Sequence, residues 1–390
     1  MKNIHETIIV GGGAAGMYCA LKLQEAGRPY TLITDRIGGR IMYRTDVNMN
    51  FGAVFYFENY KHMKKIISDG GKVLPSLRAG CCHPDETTQY SALSMRTLKH
   101  GFQLLKFFLF MRMKFVPKYE NYKNDCENMQ VKDALKKNPF IEELFYMTAD
   151  QFIRKLKIQQ IADDLISQFA HGCTGSKINT LSALDYLNCV QGLVLELKLF
   201  SFDEDAMTAR LRNGNGDVLF DSVESVHRNS EGTYAIDTVS GKKYSATNVV
   251  LATPADVTVR IVKPVVEMPE IRNASVLYAY LVRGEMKARY RHHLVHIFAD
   301  TIPIIFTRKR NAGEYEVFTE KEIDMGKYFD EYAIVEKIHW PKALFTNPNI
   351  VLNQNLAENL YMAGDHNGLG MEPAAISGIY AANQILKSIK

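Results

Sequence analysis

Hydrophobic residues open the chain as an unbroken run, Ile8-Ile9-Val10. Runs of this kind belong to strands covered on both faces of a parallel sheet. Apolar positions with helical spacing follow from Ala14 to Ala26 and stop at Gly27, and Tyr30 to Thr34 predict a second strand. Strand, glycine turn, helix and strand in this order form a βαβ half-unit, whose turn lies where open α/β sheets bind ligands. From about Ser94 to Arg212 the pattern is helical and rich in aromatic residues, and its charged stretch from Lys118 to Lys137 reads as solvated surface.

Within that region, Gly101 to Val116 carries Phe102, Phe107, Phe108, Phe110 and Phe115 among leucines and methionines. Lys99, Gln103 and Lys106 share one helical stripe, which leaves a broad apolar face. A buried helix, the wall of a lipophilic substrate channel and an interfacial membrane helix all fit this pattern. Strand signals return at Thr233 to Val239, turn at Ser240-Gly241, and continue from Lys243 to Leu251 as a hairpin. Ser275 to Val282, Ile304 to Phe306 and Glu314 to Phe318 are further strands, and Leu360 to Leu386 reads as strand, glycine turn and helix. No internal repeat or low-complexity segment is visible.

A chain of 390 residues is long enough for two packed domains. An apolar fraction of 46% with 23% charged residues describes an ordinary globular protein rather than a disordered or membrane-embedded one. The net charge of +4 comes from basic residues scattered among acids, so no nucleic-acid partner is expected. Cys19, Cys81, Cys82, Cys126, Cys173 and Cys189 show neither metal-ligand spacing nor a paired framework, so reduced thiols and no metal are expected. No secretory leader and no apolar run of the ~20 residues that a spanning helix needs are seen, which predicts a cytoplasmic protein with room only for peripheral membrane contact.

The turn Gly11-Gly12-Gly13-Ala14-Ala15-Gly16 fits the dinucleotide-binding pattern, with Gly11, Gly13 and Gly16 at its fixed positions. There Gly11 allows a tight turn, Gly13 lets the backbone approach a pyrophosphate, and Gly16 lets helix and strand pack closely. The phosphate charge would sit at the helix N-terminus, near Ala14 and Ala15. A carboxylate is expected after the second strand to bind ribose hydroxyls, and either Asp35 or Thr34 falls at that place.

The string Asp35-Arg36-Ile37-Gly38-Gly39-Arg40 resembles the Gly-Gly-Arg signature of the superfamily of flavin amine oxidases, protoporphyrinogen oxidases and phytoene desaturases. The resemblance implies that Gly38, Gly39 and Arg40 lie against the diphosphate and ring of FAD, with the planar cation of Arg40 on phosphate oxygens. Asn50-Phe51-Gly52-Ala53 resembles the element that passes the isoalloxazine, implying contacts from Gly52 and Ala53. Val223 resembles the strand residue that touches adenine, although an apolar core position explains it as well, and Ala252-Thr253-Pro254 resembles the family's strand end. Asn359 to Asp365 and Glu372 to Gly378 resemble the closing segment. There Gly364 and Asp365 would lie under the ribityl and phosphate groups, and the N–H groups of Ala374 and Ala375 would face the flavin pyrimidine.

The resemblance implies an α/β fold made of two domains. An FAD-binding Rossmann-like domain (a parallel sheet with helices and a β-hairpin insertion) would span 1–80, 215–260 and 345–390. A second α+β substrate domain would span 81–214 and 261–344. It implies an FAD-dependent oxidoreductase acting on a C–N or C–C bond of an apolar or aromatic small molecule, with the flavin noncovalent because no cysteine lies near Gly364 to Gly378. A non-redox flavoprotein, such as a mutase or isomerase, and an FAD-binding scaffold remain alternatives.

Several features depart from the family pattern. Ser275 to Val282 offers no lysine to approach the flavin, Lys287 lies beyond it, and Asp365 stands where many amine oxidases have glutamate. Trp340 is the only tryptophan, so an aromatic cage beside Asp365 is expected from Tyr or Phe. No catalytic side chain is assigned. His171, His292, His293, His296 and His366 are acid–base candidates by residue type alone, and the oligomeric state is left open.

Overall fold

A computed structural model of the chain describes residues 4–73, 79–311, 313–346 and 350–389. Its first sheet contains β1 (Ile4–Gly12), which leads through the glycine turn into α1 (Ala14–Glu25) and then β2 (Tyr30–Ile37). Much later come β3 (Gly216–Phe220), β4 (Val223–Arg228), β5 (Tyr234–Thr238) and β6 (Lys243–Leu251). The chain closes with β7 (Leu360–Met362) and α2 (Met371–Ser388). The order β3-β2-β1-β6-β7 is parallel throughout. Besides β1, β6 serves two further neighbours, since Lys243 to Ala246 pair with the hairpin strand β5 and Val249 to Leu251 pair with β7.

Side-chain alternation explains why these strands read as unbroken apolar runs. Ile9, Leu32, Val250 and Tyr361 point into the core that holds α1 and α2. Ile8, Val10, Ile33, Val249 and Leu251 point the other way, into a second core with Val226 and Ile236 of the β4–β5 hairpin. The result is three layers, with hairpin, parallel sheet and helices in sequence.

The helical layer is packed to backbone contact. A Cβ added at Gly378 of α2 would lie 1.9 Å from the carbonyl oxygen of Ala15, and one at Gly16 would lie 1.8 Å from that of Gly11. Glu372 adds an anchor at the start of α2, where its buried carboxylate accepts from the backbone N–H groups of Lys61, His62 and Met63 at 2.6–2.9 Å.

The second domain is built on a seven-stranded sheet. Its order is Phe329–Thr346, Asn273–Met286, Glu314–Thr319, Ile304–Lys309, Val295–Phe298, Gly80–Cys82 and Gln89–Ser91. All neighbours are antiparallel except Val295–Phe298 with Gly80–Cys82. One face, with Leu281, Ile297, Ile305 and Phe318, joins the core of the helices between 95 and 193. The architecture is therefore two-domain α/β, as expected. The 18-residue edge strand Phe329–Thr346 was not anticipated.

Two readings of the helical region need correction. Lys118 to Lys137 is not simply solvated, because Tyr119, Tyr122, Lys123 and Cys126 are buried and the Lys123 ammonium is paired with Glu120 at 2.7 Å. The helix Gly101–Phe110 continues through a π-helical turn, Met111–Phe115, into Val116–Cys126. It buries Leu104, Phe107, Met111 and Phe115, yet leaves Phe102, Leu105, Leu109 and Met113 in solvent. Among the described residues no helix is long and apolar enough to cross a membrane, and all six cysteines are free.

Because α1 and α2 touch through backbone at Gly378, adding one methyl group there should force them apart. Gly378→Ala is expected to cost about 1–3 kcal/mol, seen as a lower urea midpoint with an unchanged slope. A wild-type midpoint would mean that the helices do not meet in this way.

Candidate functional site

A cavity of about 550 Å³ lies between the two sheets, floored by the glycine turn and roofed by the second domain. Sixteen of the eighteen residues singled out from the sequence line it; Gly16 and Ala375 do not. Gly16 serves the close contact with Gly11 described above, and Ala375 is fully buried in α2.

The turn explains the cavity floor. Gly11 has φ +106, and a Cβ there would meet the Ala252 carbonyl oxygen at 2.6 Å, so the turn can cross the end of β6 only as glycine. α1 begins after Gly13 with no side-chain cap and no acid in its first turn, and Ala14 and Ala15 border the cavity. A Cβ on Gly13 would meet nothing within 4 Å. Uncapped N–H groups at the positive end of a helix, reachable past a bare backbone, make a seat for an anion.

The geometry separates Thr34 from Asp35. Thr34 is buried, with its hydroxyl accepting from Gly12 N at 2.9 Å and donating to Arg36 O at 2.7 Å. It therefore braces the glycine turn. Asp35 is exposed and borders the cavity, which leaves its carboxylate available to hydroxyl donors. Asp221 lies on the same side beside Val223, and hydrogen bonds from Ser240 and neighbouring groups hold its carboxyl down at about 2.

Arg40 differs from expectation. Its guanidinium grips Asp365 in a bidentate pair at 2.7 and 2.9 Å and donates to the Ala343 carbonyl at 2.6 Å. Three of its five donors are thus occupied by protein. Burial by itself would raise the Asp365 carboxyl, but the charge and hydrogen bonds of Arg40 outweigh it and hold that group below the ordinary carboxylate range. The loop is fixed further by Gly38 N on Gly12 O at 2.8 Å and by Ala53 N on Arg40 O at 3.0 Å.

The start of α2 also needs correction. Ala374 donates its N–H to Gly370 O at 3.2 Å, and Pro373 has none. The unbonded first-turn donors of this helix are therefore those of Met371 and Glu372, one turn earlier than Ala374 and Ala375. Gly370, Met371 and Ala374 border the cavity.

Toward the second domain the wall becomes aromatic and uncharged. Phe55, Phe57 and Tyr60 stand on one side, and Phe306, stacked on Phe318 at 4.5 Å, stands on the other. Trp340 borders the cavity too, its indole N–H donating to Phe51 O at 2.7 Å, although the sequence reading had looked to Tyr and Phe. Leu277 is the cavity residue of the strand Asn273–Met286. No lysine, histidine or glutamate is among the described residues lining the cavity. Burial pushes the Tyr60 hydroxyl and the Cys173 and Cys189 thiols up, so these groups stay neutral at physiological pH.

The five candidate histidines lie elsewhere. His171, His296 and His366 are buried outside the cavity, where burial lowers their pKa, that of His296 to about 3. His292 is exposed and His293 half-buried, and neither lines it. Residues that the sequence reading missed, among them Tyr60 in a loop and Cys173, Asn188, Phe306 and Phe318 on separate helices and strands, belong to no local motif. Only the tertiary fold could have found them.

A family model described as flavin containing amine oxidoreductase matches residues 14–277, more than half of the chain. The chain belongs to that family. It is therefore an FAD-dependent oxidoreductase of the amine-oxidase-like class. No curated protein sequence matches the chain. Among solved structures, a triple mutant of putrescine oxidase is similar over 98% of this chain and 99% of its own, at 15% identity and a TM-score of 0.67. Putrescine oxidase bound to putrescine covers 99% and 100% at 15% identity and 0.66. A CLA-producing fatty acid isomerase from P. acnes covers 98% and 98% at 14% identity and 0.66. At such identities these likenesses concern the fold of this amine-oxidase-family chain.

The Arg40–Asp365 pair gives a test with a definite sign. A carboxyl whose folded pKa is depressed stabilises fully above its unfolded pKa and loses that contribution as the pH falls through the folded value. Asp365→Asn should cost about 3 kcal/mol near neutral pH by leaving Arg40 uncompensated. Its deficit relative to wild type should shrink in denaturation curves taken below about pH 4. A deficit independent of pH would assign the loss to packing instead.

Proposed function

We propose that the protein holds FAD noncovalently along this cavity and removes a hydride equivalent from a C–N or C–C bond of a neutral apolar or aromatic molecule. In this reading residues 1–80, 215–260 and 345–390 hold the cofactor, and 81–214 with 261–344 hold the substrate. The diphosphate rests on the N-terminus of α1 at Gly11, Gly13, Ala14 and Ala15, with Gly16 setting the helix close to the turn. Asp35 takes ribose hydroxyls and Val223 lies against adenine. Gly38, Gly39 and Arg40 close over the middle, beside Thr253 and Pro254. Gly52, Ala53, Gly364, Asp365 and Ala374 flank the isoalloxazine, with Ala375 supporting it from within α2. The residues fit the group: a helix N-terminus lacks a side-chain cap, a bare backbone faces it, and the exposed Asp35 carboxylate at the ribose end has one long contact, from the Thr34 hydroxyl at 3.4 Å.

FAD supplies the redox chemistry, accepting the hydride equivalent and passing electrons to oxygen or another acceptor. This chain's residues orient the substrate and exclude water, and the described lining residues at the substrate end provide no base of their own. One observation carries the choice of substrate: the cavity is aromatic at its second-domain end, and no ionised group is among the described residues lining it there. The acids that line it are Asp35 and Asp221 at the nucleotide end and Asp365, already paired with Arg40. An ammonium group placed among Tyr60, Phe306 and Phe318 would lose its hydration without gaining a counter-charge. That argues against a diamine such as the putrescine bound by the structurally similar oxidase. The same wall suits an acyl chain, and the likeness to a fatty acid isomerase keeps an isomerase as the second reading. Six free thiols suit a reducing compartment, in keeping with a cytoplasmic enzyme.

The purified protein should be yellow and should release all its flavin as FAD on acid denaturation. Asp35→Ala should weaken FAD binding about tenfold through a lost charged hydrogen bond. Under anaerobic conditions, neutral lipophilic amines, porphyrinogens, polyenes or unsaturated fatty acids should bleach the bound flavin, and diamines should not. Turnover of a fatty acid by the pre-reduced protein without any acceptor would select the isomerase. Colourless protein that refuses added FAD would end the whole proposal.

A further inference from the structure

The surface of the second domain carries a feature that catalysis does not use. Seven of the seventeen large apolar side chains exposed among the described residues fall between Leu93 and Met113. Met95, Phe102 and Met113 are 79%, 81% and 73% exposed, and Leu98, Leu105 and Leu109 are about half exposed. On the helix Gly101–Phe110 the exposed Phe102, Leu105 and Leu109 lie on the face opposite the buried Leu104 and Phe107. The outward face is a continuous apolar stripe that no described part of the chain covers, a clustering beyond the scattered apolar residues of ordinary surfaces.

Charge decides what covers it. Between Glu86 and Glu120 the sequence contains no acid and six bases, Arg96, Lys99, Lys106, Arg112, Lys114 and Lys118, more positive charge than the whole chain's net +4. Arg96 is paired with Asp164, Arg112 donates to Val194 O, and Lys118 lies over the Phe140 ring. Lys99, Lys106 and Lys114 have no ion pair among the described residues and flank the apolar stripe. A second copy of the chain would bring two such basic faces together. An anionic bilayer offers hydrocarbon to the leucines and phenylalanine and phosphate to the lysines, the combination by which interfacial helices bind.

We propose that the face formed by Leu98, Phe102, Leu105, Leu109 and Met113 with Lys99, Lys106 and Lys114 docks the enzyme onto an anionic lipid surface. The helix lies in the interface and does not cross it, in accord with the lack of a described helix long and apolar enough to span. This face rests on surface residues alone and stands whatever the substrate.

Flavin-loaded full-length protein should co-sediment with vesicles of equal parts phosphatidylcholine and phosphatidylglycerol, release as salt rises, and stay in solution with phosphatidylcholine alone. The variant Lys99→Glu/Lys106→Glu/Lys114→Glu should bind the mixed vesicles on the order of a hundredfold more weakly. Phe102→Ser/Leu105→Ser/Leu109→Ser should lose binding while keeping the flavin spectrum of wild type. If the serine variant fails to fold, the charge-reversed variant decides. Wild type that ignores anionic vesicles, or charge reversal without effect on binding, would overturn the proposal. So would light scattering that finds a dimer which the serine variant dissolves into monomers, because a second copy would then cover the face.

Discussion

Arg40 and Asp365, 325 residues apart in sequence, meet in a bidentate pair, and the arginine also holds the carbonyl of Ala343 in the long edge strand of the second domain. One side chain thus ties the loop after β2, the turn after β7 and the second sheet to one another. The strand pairing of β1 with β6 and of β6 with β7 brings the two ends of the chain side by side. The ion pair joins the loops leaving those strands across the cavity, alongside backbone bonds such as Gly38 N on Gly12 O and Ala363 N on Leu251 O. A partly buried pair of this kind contributes little net stability against a well-packed apolar alternative, because desolvation offsets much of the attraction. Its value here lies in geometry: the carbonyl of Arg40 also receives the N–H of Ala53, so shifting the guanidinium would move the Gly52–Ala53 step as well.

The cavity has an electrical gradient that follows from this arrangement. At one end helix N–H groups, Asp35 and Asp221 give a polar cradle, and in the middle Arg40 and Asp365 neutralise each other. At the other end burial keeps Tyr60, Cys173 and Cys189 protonated, and no strong base is among the described lining residues there. The described residues at that end offer no side chain suited to take a proton at neutral pH. In the proposed reaction the site would rely on positioning, exclusion of water and the chemistry of the cofactor. The absence of lysine among the described lining residues is thus part of a consistent pattern in which the aromatic end of the cavity carries no charge.

How much of this was legible depended on whether the cause was local. Ile8-Ile9-Val10 with the glycine turn encoded its strand, turn and helix within a few residues, and Gly38-Gly39-Arg40 and Gly364-Asp365 could be found as motifs. Their placement around one cavity followed the order of those motifs. The choice between Thr34 and Asp35 could not be read, because it turns on which way one strand residue faces, and the structure buries Thr34 against Gly12 N. The pairing of Arg40 with Asp365 was hidden for the opposite reason, since it joins distant segments. Phe329–Thr346 escaped notice because an edge strand with one face largely in solvent carries Glu331, Glu336 and Lys337 and even Pro341, and lacks the apolar density of a central strand.

The helix from Gly101 shows a different limit. Its periodicity left open a buried helix, a channel wall and an interfacial helix, and each assumed one apolar face. The structure gives two, an inner one through Leu104, Phe107, Met111 and Phe115 and an outer one through Phe102, Leu105, Leu109 and Met113. A segment apolar on both sides has little amphipathic contrast, so hydrophobic pattern alone cannot say which side meets the core. The inner face accounts for the helix being folded. The outer face adds nothing to packing within the chain and exposes apolar surface to water, so its residues call for a cause outside the fold, and the three unpaired lysines beside them indicate the sign of charge that cause must carry.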